Sequence, residues 1–159
     1  MIFLDTSAAV KALIDEAESA AVLHLFADGT EFVASRLLAV ELHAVADRRS
    51  LRHERVDDLL SHISLVSLDD ETMIRAIDLH SGLRAMDALH LATAIRLKDT
   101  ISAVLTYDQE LAEAARQSGL PVSSPSWARA PSLIPPRLDA SPPAVPSPAG
   151  EAPSPAPVD

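Results

Sequence analysis

Four acidic side chains stand where a carboxylate is awkward or where a strand gives way to a helix. They are Asp5 in Ile2-Phe3-Leu4-Asp5-Thr6-Ser7, Glu41 in Leu38-Ala39-Val40-Glu41-Leu42, Asp87 in Ala85-Met86-Asp87-Ala88-Leu89-His90, and Asp108 in Leu105-Thr106-Tyr107-Asp108. The chain has no cysteine, and no histidine pair sits at a metal-ligand spacing. A site built from carboxylates alone selects hard, oxygen-seeking cations such as Mg²⁺ or Mn²⁺. Such ions support hydrolytic chemistry at phosphate.

Each acid also has a purely structural reading. Asp5 and Asp108 both precede helical segments, where an ionised side chain caps the first free N–H groups. Asp87 lies near a helix start and can serve the macrodipole. Its neighbours Leu83, Leu91, Ala94 and Ile95 share its helical face, however, which turns the carboxylate inward. Glu41 resists dismissal most, because Leu37, Ala44 and Val45 surround it at helical spacing in mid-helix. A buried carboxylate must be neutralised or find a cation. An ion pair to Arg36, Arg48 or Arg84 is the structural alternative for Glu41. His90 follows Asp87 by three residues, so both can reach one site, although a satisfied core histidine is the simpler account. Trp127, alone near the tail, is expected to close the core edge rather than stack a base.

The elements that must position these groups alternate. Short apolar strands are expected at residues 1–4, 31–34, 63–68, 101–106 and 121–123. Helices are expected at 8–15, 19–27, 36–49 (capped by Ser35), 53–62, from Asp69 to about 80, 84–98 and 108–117. Alternation of this kind implies an α/β fold, a three-layer α/β/α sandwich around a mainly parallel sheet of four to five strands. Ligands in such sheets collect beyond the carboxyl ends of the strands, where Asp5 and Asp108 stand. There is no internal repeat, P-loop, dinucleotide-binding glycine loop or hydrolase nucleophile elbow.

Composition sets the limits. Ten of the 12 prolines fall after residue 130, mixed with Ala and Ser. We expect a folded domain over 1–130 and a disordered or polyproline-like tail over 131–159. The net charge is −10, which argues against non-specific nucleic-acid binding but leaves room for a local basic rim. Arg48, Arg49, Arg52 and Arg55 form the one concentrated basic patch, and a solvated helix end accounts for it. Asp5 interrupts the first apolar run, and no stretch approaches the length of a membrane span. A cytoplasmic location with no membrane association is expected.

The run Ile2-Phe3-Leu4-Asp5-Thr6-Ser7-Ala8, the inward Glu41, Leu83-Arg84-Ala85-Met86-Asp87-Ala88-Leu89-His90-Leu91-Ala92, and Leu105-Thr106-Tyr107-Asp108-Gln109-Glu110-Leu111 resemble the PIN-domain ribonucleases. The likeness is strongest to VapC-type toxins of bacterial toxin–antitoxin pairs, and it spans about residues 1–125. It implies a metal-dependent endoribonuclease in which Asp5, Glu41, Asp87 and Asp108 hold Mg²⁺ or Mn²⁺ and RNA is cut by a metal-activated water. Asp5 and Asp87 would be the principal ligands. Glu41 and Asp108 would complete a second site or bind through water. Thr6 or Ser7, and Thr106, match the hydroxyl positions beside the acids. The resemblance also implies a homodimer and a cognate antitoxin that occupies the active-site groove.

Two other readings fit parts of the pattern. A haloacid-dehalogenase-like phosphatase also opens with a strand ending in Asp, but needs a second acid two residues later, where this chain has Ser7. An acidic-pocket binding module would keep the fold and capture a basic segment without cleavage. The tail yields a direct test. Deleting the residues after Ser132 should leave the melting temperature nearly unchanged, because they lack apolar surface to pack. A large drop would show that Leu133, Ile134 and Leu138 dock on the domain or on a partner chain.

Overall fold

The computed structural model describes residues 1–126. In chain order the elements are β1 (Ile2–Leu4), α1 (Thr6–Leu13), α2 (Ser19–Ala27), β2 (Phe32–Ser35), α3 (Leu37–Arg49), α4 (His53–Ser61), β3 (Ile63–Val66), α5 (Asp70–Asp78), α6 (Ala85–Arg96), β4 (Ala103–Leu105), α7 (Gln109–Gln117) and β5 (Val122–Ser123). The strands form one sheet in the order β3-β2-β1-β4-β5. Every pairing is parallel. This is the expected α/β/α arrangement, with a sheet that is wholly rather than mainly parallel.

Successive strand residues face opposite sides of a sheet, and here both sides are covered. Leu4, Phe32, Ala34 and Leu105 pack on one side with Ala8, Ala9 and Leu13 of α1, Leu38, Leu42 and Ala46 of α3, and Val56 of α4. Phe3, Val33 and Val104 pack on the other side with Leu91 and Ala94 of α6 and with Leu111 and Ala115 of α7. The strands therefore read as unbroken apolar runs. The four-residue spacing of Leu38, Leu42 and Ala46 is the narrow stripe of a helix laid along the sheet.

Topology creates the site. The chain builds outward from β1 through β2 to β3, then crosses back to place β4 on the opposite side of β1. In open parallel sheets ligands bind at such a reversal, here beyond the carboxyl ends of β1 and β4. Asp5 follows β1, Ser35 ends β2, and Thr106 and Asp108 follow β4.

Ser35 departs from expectation. It does not cap the helix that follows. It is the last residue of β2 and 0% exposed, and Arg36 takes the N-cap position without a side-chain bond. The Ser35 hydroxyl is drawn instead toward His90, because a buried O–H needs a partner and a strand end points it into the layer interface. Asp69 does cap α5, accepting from the Thr72 N–H at 2.9 Å. Trp127, the boundary expected near residue 130, and the tail lie outside the described residues.

Candidate active site

Asp5 is 3% exposed and is held by three donors. Its Oδ2 accepts from the Ser7 backbone N–H at 3.1 Å, the Ser7 hydroxyl at 2.6 Å and the Thr106 hydroxyl at 2.9 Å. Asp5 is thus the N-cap of α1, and it is also tied across to the end of β4. All three donors fall on Oδ2, and Oδ1 receives none among the described residues. Ser7 Oγ further accepts from the Tyr107 N–H at 2.9 Å. A donor hydroxyl at position 7 supplies no carboxylic acid, which removes the dehalogenase-like phosphatase reading.

Asp108 repeats the pattern. Its Oδ1 accepts from the Leu111 N–H at 2.9 Å and caps α7. Its own N–H donates to Thr106 Oγ1 at 3.0 Å. Thr106 therefore connects the two acids, accepting from the backbone of one and donating to the side chain of the other. Capping and convergence are not rival accounts here. A cap occupies one carboxylate oxygen, and the second remains available.

Glu41 sits at the border of the buried stripe of α3, its side chain 20% exposed. Its partner is not an arginine. Oε2 accepts from the Thr6 hydroxyl and lies 2.7 Å from His90 Nε2. Arg36 and Arg84 are exposed, and neither they nor Arg48 pair with Glu41 among the described residues. Burial, the largest influence on Glu41, favours its neutral form. The hydrogen bonds from His90 and Thr6 and the charge of His90 outweigh it, and hold the pKa below the ordinary glutamate value. Burial likewise works hardest against a charged His90, but Glu41, Asp5 and Asp87 together raise its pKa.

Asp87, in the first turn of α6, has no hydrogen bond among the described residues. Burial first, then repulsion from Asp108, Asp5 and Glu41, push its pKa up, against a smaller attraction to His90. Acids from three other segments, Asp5, Glu41 and Asp108, lie within electrostatic reach of the Asp87 carboxyl group. His90 and Ser35 are the residues that sequence reasoning left out of the site. The signal for His90 was its position one turn beyond Asp87, and Ser35 offered none, since its role depends on where β2 ends.

The donor set fits a hard divalent ion. Each of Asp5, Glu41 and Asp108 keeps one oxygen anchored by protein donors, and Asp87 keeps both oxygens. Among the described residues no three acidic or imidazole groups are gathered closely enough to enclose an ion. The four acids form no closed cage, and an open set of this kind would suit Mg²⁺, an ion that retains waters and takes few carboxylates. The Arg48–Arg55 patch lies elsewhere. Arg48 and Arg49 occupy the last turn of α3, where they favour its dipole, and Arg55 donates to the Leu13 carbonyl at 3.2 Å.

The PIN-domain family model matches residues 2–117. Ribonuclease VapC46 of Mycobacterium tuberculosis is 34% identical over 131 residues, which cover 79% of this chain and 98% of that one. The chain belongs to the VapC group of PIN-domain proteins. Solved structures share the fold. VapC20 of Mycobacterium tuberculosis, described as a sarcin-ricin loop cleaving toxin, superposes with a TM-score of 0.60 at 16% identity, covering 72% of this chain and 95% of that one. A chain of a toxin–antitoxin complex from Klebsiella pneumoniae gives 0.59 at 21% identity, covering 78% and 97%.

The site of this PIN domain contains two acids with opposite effects on stability. A raised folded-state pKa means that ionised Asp87 costs stability at neutral pH, a cost that fades as pH falls toward its ordinary value of 3.8. The lowered pKa of Glu41 means that its stabilisation is present above its ordinary value of 4.5 and is lost as pH falls through the folded-state value. Without added metal at neutral pH, Asp87→Asn should melt at or above wild type and Glu41→Gln below it. The Asp87→Asn advantage should disappear near pH 4. Thermal melts in EDTA across that range check both signs, and equal destabilisation by the two variants would show that Asp87 is not in a repulsive cluster.

Proposed function

We propose that this chain is the ribonuclease toxin of a toxin–antitoxin pair, cutting RNA with Mg²⁺ or Mn²⁺ held by Asp5, Glu41, Asp87 and Asp108. The observation that carries the reading is the division of labour within each carboxylate. Protein donors fix one oxygen of Asp5, Glu41 and Asp108, and the other is left for a cation. A bound divalent ion would polarise the scissile phosphate and lower the pKa of an attacking water. The chain's own residues supply the framework. Ser7 and Thr106 fix Asp5, the cap bond fixes Asp108, and Thr6 with His90 fixes Glu41. Asp87, with no such partner and with unfavourable neighbours, gains most from an added positive charge. Arg36 and Arg84 precede the first turns of α3 and α6. Exposed there, beside the helices that carry Glu41 and Asp87, they would take RNA phosphates and offset the acidic body.

Purified protein should cleave RNA with Mg²⁺ or Mn²⁺ and stop in EDTA. Asp5→Asn retains a cap acceptor, so its loss of activity isolates the ligand role. Asp5→Asn and Asp87→Asn should each lower cleavage by about two or more orders of magnitude, the scale for removing an interaction made to developing charge. Full cleavage by either folded variant would remove the assignment. One chain of similar fold comes from a toxin–antitoxin complex, and we propose a cognate antitoxin for this chain as well. Expression of the wild type should therefore arrest growth, Asp87→Asn should not, and co-expression of a cognate antitoxin should relieve the arrest.

We assign the toxin a homodimeric state in the cytoplasm. Among the described residues no helix is long and apolar enough to cross a membrane. Met73, Ile74 and Ile77 adjoin one another on α5, with Ile77 71% exposed, and an apolar helix face of this kind supports a subunit contact. Light scattering of the wild type should give a dimer, and Ile77→Glu a monomer. A monomeric wild type at micromolar concentration would overturn the assignment.

A further inference from the structure

Ser35 has no part in the framework above and His90 enters it only through Glu41, yet both are buried beside the acids, 0% and 1% exposed. Both nitrogens of the imidazole are engaged. Nδ1 lies 3.1 Å from the Ser35 hydroxyl and Nε2 lies 2.7 Å from Glu41 Oε2. A carboxylate oxygen needs a proton in that contact, so Nε2 carries one whether the ring is neutral or charged. In the neutral ring Nδ1 then accepts, and the Ser35 hydroxyl is its donor. The Phe3 ring stands edge-on to the imidazole, with centroids 6.3 Å apart and an interplanar angle of 73°. Ser35 at the end of β2, Phe3 of β1 and Glu41 of α3 thus fix the ring on three sides.

A glutamate has three rotatable side-chain bonds, and at the border of a helix face it would sample several rotamers. We propose that Ser35 and His90 are positioning residues that hold Glu41 by Oε2 and so reserve Oε1 for the divalent cation. This rests on the nuclease reading of the same site. The arrangement matches the outer-shell logic of metal centres, where a second residue fixes the orientation of a ligand and its loss costs affinity. It also gives a reason for a hydroxyl at the end of β2, where a helix cap was expected. Thr6 bonds the same oxygen, so the two donors arrive from α1 and α6 and leave Glu41 one orientation.

The test is Mn²⁺ binding by isothermal titration calorimetry, without RNA, for wild type, Ser35→Ala, His90→Asn and His90→Gln, each also combined with Glu41→Gln. Circular dichroism and melting confirm the fold of each. Ser35→Ala and His90→Asn should weaken Mn²⁺ binding about 10-fold. His90→Gln, whose amide can reach further to donate, should recover part of that loss. None of the three should weaken binding further when Glu41 is already Gln, because their effect passes through that carboxylate. A merely structural histidine predicts a lower melting temperature with unchanged Mn²⁺ affinity in the folded variants. Ser35→Ala removes a single oxygen and decides the matter if His90→Asn fails to fold. Affinities within about twofold of wild type, or equal further losses in the Glu41→Gln background, would overturn the positioning role and leave the nuclease reading standing. A wild type that binds no Mn²⁺ would overturn both.

Discussion

The site depends on how one oxygen of Asp5 is satisfied. Its Oδ2 takes protons from the Ser7 backbone, the Ser7 hydroxyl and the Thr106 hydroxyl. These contacts start α1, join the end of β1 to the end of β4, and orient the carboxylate at the reversal point of the sheet. An ionised group buried this deeply is stable only when charge-assisted hydrogen bonds replace its water. Both hydroxyls give their protons to Asp5, so the 3.2 Å approach between Ser7 and Thr106 follows from that shared acceptor. Thr106 then passes the constraint to Asp108 through the Asp108 N–H.

Around this knot the remaining acids divide by environment. Glu41 lies beside a histidine and a threonine and is held ionised. Asp87 lies within electrostatic reach of three carboxylates and is pushed toward protonation. One pocket thus holds a carboxylate that adds to stability at neutral pH and another that subtracts from it. Such opposed environments mark functional sites more often than structural ion pairs, because a fold selected for stability alone has no reason to keep the repulsive member.

The architecture explains why a net acidic chain can present this pocket without unfolding it. Helix N-termini arrive at the carboxyl ends of a parallel sheet, and their partial positive charge offsets the acids placed there. Asp5 and Asp108 take that compensation directly as caps. Asp87 sits in the first turn of α6. Glu41, one turn into α3, is too far along for its helix end to serve it and relies on His90 instead.

Much of this was legible in the chain. The alternation of short apolar runs with helical patterns specified a parallel sheet covered on both faces, since only two-sided burial favours strands such as Phe32-Val33-Ala34. The four acids were visible because polar groups on apolar faces break periodicity. Element ends moved by a few residues, as at β4, because the last residues of a strand are decided by which pairings the neighbours offer. Partners across the sheet were not legible. An arginine was the structural alternative for Glu41, and its partner is instead His90, 49 residues away. Ser35 was expected to cap a helix and instead serves that histidine. Local propensity records what a residue can do with its own neighbours. Only the crossover that sets β1 between β2 and β4, and brings α6 against β2, determined which hydroxyl and which imidazole each carboxylate would find.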